Sequence, residues 1–411
     1  MNRPGGNDLL ECRTLFQPLE LRNIRLPNRL VRAATYEGFA GRDGTPHPEL
    51  VGIYERLARG GIGSIITGFA FVTPEGRAMQ PGQCGIERDE RITQWRTVLE
   101  KLRRTGAETR MFLQLAHAGR QTRRTMTGLP VMGASSRRCT YFRQRVRPMD
   151  SEAIRTVIES FGQAARRAQT AGFDGVQIHG AHGYLIHQFL SPWTNRRNDV
   201  WSDRPKFLEE ILAAVRRSCG DRFPVLVKLS AADDNDPGIR LADTIETVRR
   251  IAAFGIDAVE ISYGTMEYAL NIIRGACPVQ EALRVNPLFR DMPAAVRWLW
   301  VRFFLKSYVE GFLPFQENYN LHAAAGVRRE TGIPVIVVGG VRSGAGVMEC
   351  LAAGVDAVSL CRPLIREPEF PRRLFDDPAA KSACTNCNLC TIHCDDDRPL
   401  RCYRKKEIDH A

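Results

Sequence analysis

The chain has 411 residues, enough for one large barrel with an appendage or for two ordinary domains. Its net charge of +12 rests on 51 Arg and only seven Lys, spread through every segment instead of gathered on one patch, which argues against nucleic acid as a partner. No apolar segment near Met1 reads as a signal peptide and no run of about 18 apolar residues occurs, so a cytoplasmic protein without a spanning helix is expected.

Four stretches share one pattern: Gly, apolar, Asp or Gly, small, apolar, any residue, apolar. They lie at residues 61–66, 172–178, 255–261 and 354–360, and each follows a helical segment. Each reads as a helix end followed by a buried strand. Further apolar runs at 30–34, 111–115, 224–229 and 333–338 bring the strand count to eight. Helix-like segments separate them, as where Ile154, Val157, Ile158 and Phe161 recur at helical spacing. Eight such units predict an α/β fold, a closed (β/α)8 TIM barrel over residues 1–376, with a long insertion between strand 6 and its helix at 262–318 and a cysteine-rich tail over 377–411.

In such a barrel the functional residues lie at the C-terminal ends of strands or in the loops that follow. The first end carries Ala34, Thr35 and Tyr36. The third carries Gln114, whose amide offers both a donor and an acceptor, with His117 and Arg120 read as supports of its loop. The fourth delivers His179, His182 and Tyr184 within six residues. Neutral imidazoles can donate to a carbonyl oxygen and a phenol can supply a proton, a combination suited to polarising a carbonyl and protonating a carbon. The plain alternative is a satisfied core His beside a packing Tyr. Lys228 sits inside an otherwise apolar strand, where it needs either an anionic ligand or a barrel carboxylate. After strands 7 and 8, Gly339, Gly340, Arg342 and Arg362 stand where barrels usually bind phosphate, with Cys361 among them.

The string HGAHGYLIHQFLSP at 179–192, followed by Asn195, Arg196 and Arg197, resembles the signature of the Old Yellow Enzyme family of FMN-dependent ene-reductases. The resemblance runs from about Leu15 to Phe375 and implies an FMN oxidoreductase that reduces a carbon–carbon double bond conjugated to a carbonyl, with electrons from NAD(P)H. It assigns Ala34, Thr35, Gln114, Lys228, Gly339, Gly340, Arg342, Cys361 and Arg362 to FMN, Tyr36 to substrate, His179 and His182 to the carbonyl oxygen, and Tyr184 to proton delivery. The chain departs from the family where Ala34 and Thr35 replace Pro and Met, where Cys361 replaces Gly, and in the loop from Asn198 to Pro205.

The aromatic-rich middle of the insertion, residues 294–305, is too short and too charged to cross a bilayer. It is read as a lid over an apolar pocket or as the interface of a homo-oligomer, ahead of an interfacial helix touching membrane. In the tail, Cys384, Cys387 and Cys390 follow at two-residue gaps and eleven residues separate Cys390 from Cys402. Clustered thiols imply metal or redox chemistry. The segment resembles the one that follows the barrel in 2,4-dienoyl-CoA reductase and trimethylamine dehydrogenase, which implies a 4Fe-4S cluster on Cys384, Cys387, Cys390 and Cys402 with Cys394 as the alternative fourth ligand. Zinc on the same thiolates, or on a set including His393, is the competing reading, and Arg404 with Lys405 and Lys406 would then belong to a zinc-ribbon interaction module on an inactive barrel. The chain shows no Gly-x-Gly-x-x-Gly opening a helix after a strand, so electrons are expected to reach FMN without a nucleotide-binding domain, and an electron-transfer protein is a candidate partner.

Overall fold

In the computed structural model, residues 14–396 and 398–404 are described. The stretch near Met1, together with Lys405 and Lys406, lies outside them. Eight parallel strands form the frame: β1 Leu30–Arg32, β2 Ser64–Ile66, β3 Arg110–Ala116, β4 Gly175–Gly180, β5 Val225–Ser230, β6 Ala258–Ser262, β7 Val335–Val338 and β8 Ala357–Leu360. Each pairs with its neighbour in sequence, and β1 with β8, so the sheet closes into a barrel without a free edge. Each of the eight overlaps an apolar run singled out above.

Helices cover the barrel because their apolar stripes face it. The longest, α3 (Ser151–Ala171), follows the first two outer helices, α1 (Leu50–Arg59) and α2 (Glu90–Arg103). Asp150 caps it by accepting a hydrogen bond from the Ala153 backbone N–H at 2.8 Å, and Ile154, Val157, Ile158 and Phe161 are buried. Gly172 ends it at φ +102°, a conformation that favours glycine, and this turns the chain into β4.

A two-stranded hairpin, Leu19–Glu20 with Arg25–Leu26, has no counterpart in the apolar pattern. Its Leu19 and Leu26 pack with Val31, Ile66, Phe112 and Ile336 inside the barrel floor. The insertion folds into short helices, among them Val279–Val285, Ala294–Phe303 and Leu305–Glu310. Described residues of the tail lie against the barrel: Gly344 donates to the Ala380 carbonyl, Ser382 to that of Arg342, and Leu400 to that of Glu37. Among the described residues no helix is long and apolar enough to cross a membrane.

Candidate active site

One large cavity opens at the C-terminal ends of the strands, roofed by the insertion and the tail. His179 leaves β4 nine-tenths or more buried, and its ring lies 5.1 Å from that of His182 and 5.0 Å from that of Tyr184. The turn between them favours Gly183, whose φ of +78° is one that L side chains rarely adopt. His182 is itself held in the left-handed region, at φ +62°, with its Nε2 2.8 Å from the Ser262 hydroxyl and its backbone N–H donating to Ser230 Oγ. His179 Nδ1 is buried without a partner.

Burial holds both imidazoles well below their usual pKa, and the Lys228 charge adds to this for His179. They are therefore neutral near pH 7 and able to donate one hydrogen bond each. Burial pushes the Tyr184 phenol upward, so it keeps its proton. All three line the cavity, as does Tyr36, whose hydroxyl accepts from the Gly82 N–H at 2.8 Å.

Beneath them runs a chain of buried polar groups. Gln114 Nε2 donates to Gln177 Oε1 at 2.7 Å, Gln177 Nε2 donates to Glu260 Oε2 at 2.9 Å, and Lys228 Nζ lies 3.2 Å from the same oxygen. Strand register sets this row, with Gln114 opposite Gln177 and Lys228 flanked by His179 and Glu260. Lys228 thus has the barrel carboxylate that the sequence left as an alternative, and it also lines the cavity. Ala34, Thr35, Gly339, Gly340, Cys361 and Arg362 line it too. Thr35 Oγ1 lies 3.3 Å from Cys361 Sγ. Gly340, at φ +80°, admits no side chain, since a Cβ would lie 2.6 Å from the Gln316 carbonyl oxygen. Arg342 is different: its guanidinium turns to the tail and donates to the Ser382 carbonyl.

These residues fit a flavin mononucleotide. The amide of Gln114 suits a pyrimidine edge, Lys228 supplies a cation on the floor, and the β7 and β8 turns bring glycine backbone, Arg362 and an unpartnered buried hydroxyl, Ser359 Oγ, to one side.

Cys384, Cys387, Cys390 and Cys402 line a second, smaller cavity, together with Arg362 and Arg366. Cys390 and Arg362 line both cavities. Cys394 turns the other way, toward the large cavity, and its thiol donates to the Cys390 carbonyl. His393 is engaged by Glu281 and Asp396, each at 3.0 Å, and so is turned away from the thiols. Among the described residues no three Cys, His, Asp or Glu side chains stand at the spacing of ligands to one ion.

The model of the NADH:flavin oxidoreductase / NADH oxidase family matches residues 14–282, well over half of the chain. The chain belongs to that family. It is 28% identical over 389 residues to the NADH oxidase of Thermoanaerobacter brockii, covering 92% of this chain and 53% of that protein. It is 33% identical over 273 residues to the NADPH dehydrogenase of Bacillus subtilis, covering 64% and 78%. A solved 2-naphthoyl-CoA reductase superposes with a TM-score of 0.79 at 22% identity, over 95% of this chain and 56% of that one, and shows the shared fold. The chain therefore spans about half the length of the first and the third.

In this member of the NADH:flavin oxidoreductase family two groups at the cavity and one beneath it escaped sequence reading. Glu260 is the one charged residue within β6, flanked by Val259 and Ile261, the same signal that marked Lys228. Phe69, whose ring lies 5.3 Å from that of Tyr184, comes from a loop without any marked pattern. Asp395 of the tail accepts hydrogen bonds from Gln80, Tyr141 and Asn286, and burial raises its carboxyl to about 6. Nothing local distinguishes it from the neighbouring Asp residues.

His117 and Arg120 stay outside the cavity and brace the loop after β3. His117 Nδ1 accepts from the Gly119 N–H, and Arg120 pairs with Glu267 at 2.5 Å in a buried setting. Burial lowers the His117 imidazole to about 4. Because that value lies below the unfolded one near 6.5, the unfolded chain binds the extra proton between roughly pH 4 and 6.5. Stability should therefore fall on acidification through this window, by at most about 3 kcal/mol from His117. Urea unfolding across that range checks it; a His117→Gln variant with an unchanged pH slope would overturn it.

Proposed function

We propose that this protein is an FMN-dependent oxidoreductase that takes electrons from NAD(P)H and reduces a carbon–carbon double bond conjugated to a carbonyl. The observation that carries this reading is the convergence of two neutral imidazoles and a protonated phenol on one cavity above the Gln114–Lys228 floor. Ala34, Thr35, Gln114, Lys228, Gly339, Gly340, Cys361 and Arg362 would hold FMN. When bound, FMN supplies the hydride chemistry.

His179 and His182 would receive the substrate carbonyl oxygen. As neutral donors they stabilise the negative charge that develops there without surrendering a proton to it. Tyr184 would give its proton to the α-carbon, and Tyr36 and Phe69 would enclose the substrate. The apolar insertion residues Leu270, Ile272 and Phe312 exclude water from the same space, which strengthens each of these polar contacts.

The four thiols around the smaller cavity support a 4Fe-4S cluster on Cys384, Cys387, Cys390 and Cys402. All four line one small cavity, and their spacing resembles that of the segment after the barrel in 2,4-dienoyl-CoA reductase, which is what favours the cluster over zinc. Cys390 would place that cluster against the flavin cavity. This supports a second reading, a dehydrogenase that exchanges single electrons with a protein partner.

The test is anaerobic: NADPH or NADH is mixed with the FMN-loaded protein, and 2-cyclohexenone is then added. Bleaching of the flavin band by the nicotinamide and its return with the enone fits the proposal. Bleaching that only dioxygen or a one-electron acceptor reverses would favour the second reading.

A further inference from the structure

The insertion is two-sided. Facing inward, the ring of Phe289 lies 4.9 Å from that of Trp300, Trp300 lies 5.6 Å from Tyr308, and Tyr308 lies 5.0 Å from Phe312. Phe289, Tyr308 and Phe312 are part of the cavity wall. Facing outward, the helix Ala294–Phe303 has no buried residue at all. Val296, Trp298, Leu299, Phe303 and Phe304 are between 48% and 64% exposed.

Single exposed apolar side chains are ordinary, but five within nine residues form a patch, and such patches mark a binding surface. The charge on this segment selects the partner. Between the bounding Asp291 and Glu310 the chain carries Arg297, Arg302 and Lys306 and no acidic residue, and of the three cations Lys306 is paired with Glu310 at 3.8 Å. A second copy docked through a two-fold contact would set one net-positive patch against another, which is unfavourable. An anionic lipid surface neutralises them while its acyl boundary takes up Trp and Phe. The net charge of +12 adds long-range attraction of the same sign.

We infer that the outer face of residues 294–306 docks on an anionic phospholipid surface, with its aromatic side chains entering the interface and the cavity wall at its back. Sequence reading ranked membrane contact behind a lid or a subunit interface. The structure gives the lid role to the inner face and leaves the outer face open, so lid and membrane contact coexist. The inference is independent of the reaction proposed above.

The test is flotation of the full FMN-loaded chain with vesicles of phosphatidylcholine alone or mixed with phosphatidylglycerol. Binding is expected to the mixed vesicles, to weaken with added salt, and to fall about tenfold or more in Arg297→Glu/Arg302→Glu and in Trp298→Ser/Phe303→Ser. Trp298, Arg302 and Phe303 are exposed and Arg297 is half-buried, and retained flavin absorbance verifies that each variant is folded. Absence of binding to mixed vesicles, or equal binding by both variants, would overturn the inference. So would a wild-type dimer in sedimentation velocity that the Trp298→Ser/Phe303→Ser variant converts to monomer, since the patch would then be a subunit interface.

Discussion

Replacing Tyr184 with Phe is expected to slow reoxidation of the reduced enzyme by 2-cyclohexenone by about 10²- to 10⁴-fold, the usual contribution of a positioned acid. The substitution removes one hydroxyl and keeps the ring, whose contacts with Phe69 and His179 are the packing at that point. Flavin reduction by NAD(P)H needs no proton at the substrate α-carbon, so that half-reaction should stay within about twofold of wild type. Stopped-flow measurement of the two half-reactions separates them. Equal losses in both would mean that Tyr184 shapes the cavity and is not the acid.

The second large effect is expected at Cys387. Cys387→Ser should remove the iron and the broad visible absorbance of a cluster while FMN remains bound, because Cys387 lines the small cavity and not the large one. Cys394→Ser should keep the cluster, since Cys394 turns away from the other four thiols. Absorbance spectra with iron and zinc analysis on protein purified without oxygen decide both. A wild-type protein holding zinc and no iron would make the tail structural, and loss of iron in Cys394→Ser but not in a Cys402 variant would reverse the ligand assignment. Structural metal sites contribute to folding, so a lower melting temperature is expected for Cys387→Ser and an unchanged one for Cys394→Ser.

Much of the barrel was legible because its units are local. Each strand is a short apolar run, four of them after a helix-ending glycine, and alternation of such units with helices of one-faced periodicity leaves a closed parallel barrel as the natural solution. The floor hairpin was not, since its two-residue strands are shorter than any period. At the site, His179, His182 and Tyr184 could be read together because one strand end delivers them, and Gln114 and Lys228 because a polar residue in a buried strand demands a partner. Arg342 shows the limit of that logic: its position in the loop after β7 did not decide where a long side chain would go, and the tail carbonyl of Ser382 holds it.

The sequence by itself determined the strand order, the reactive residue types at the strand ends and the spacing of the thiols, all of which depend on neighbours a few residues apart. Only the tertiary structure decided which distant groups meet. It joined Gln114, Gln177, Glu260 and Lys228 into one row through strand register, and it turned Cys394 toward the large cavity while Cys402 joined the other three thiols. It brought Asp395 to Gln80 across more than three hundred residues and gave the insertion an inner and an outer face. Contacts of that kind follow from chain closure and packing, which no local pattern records.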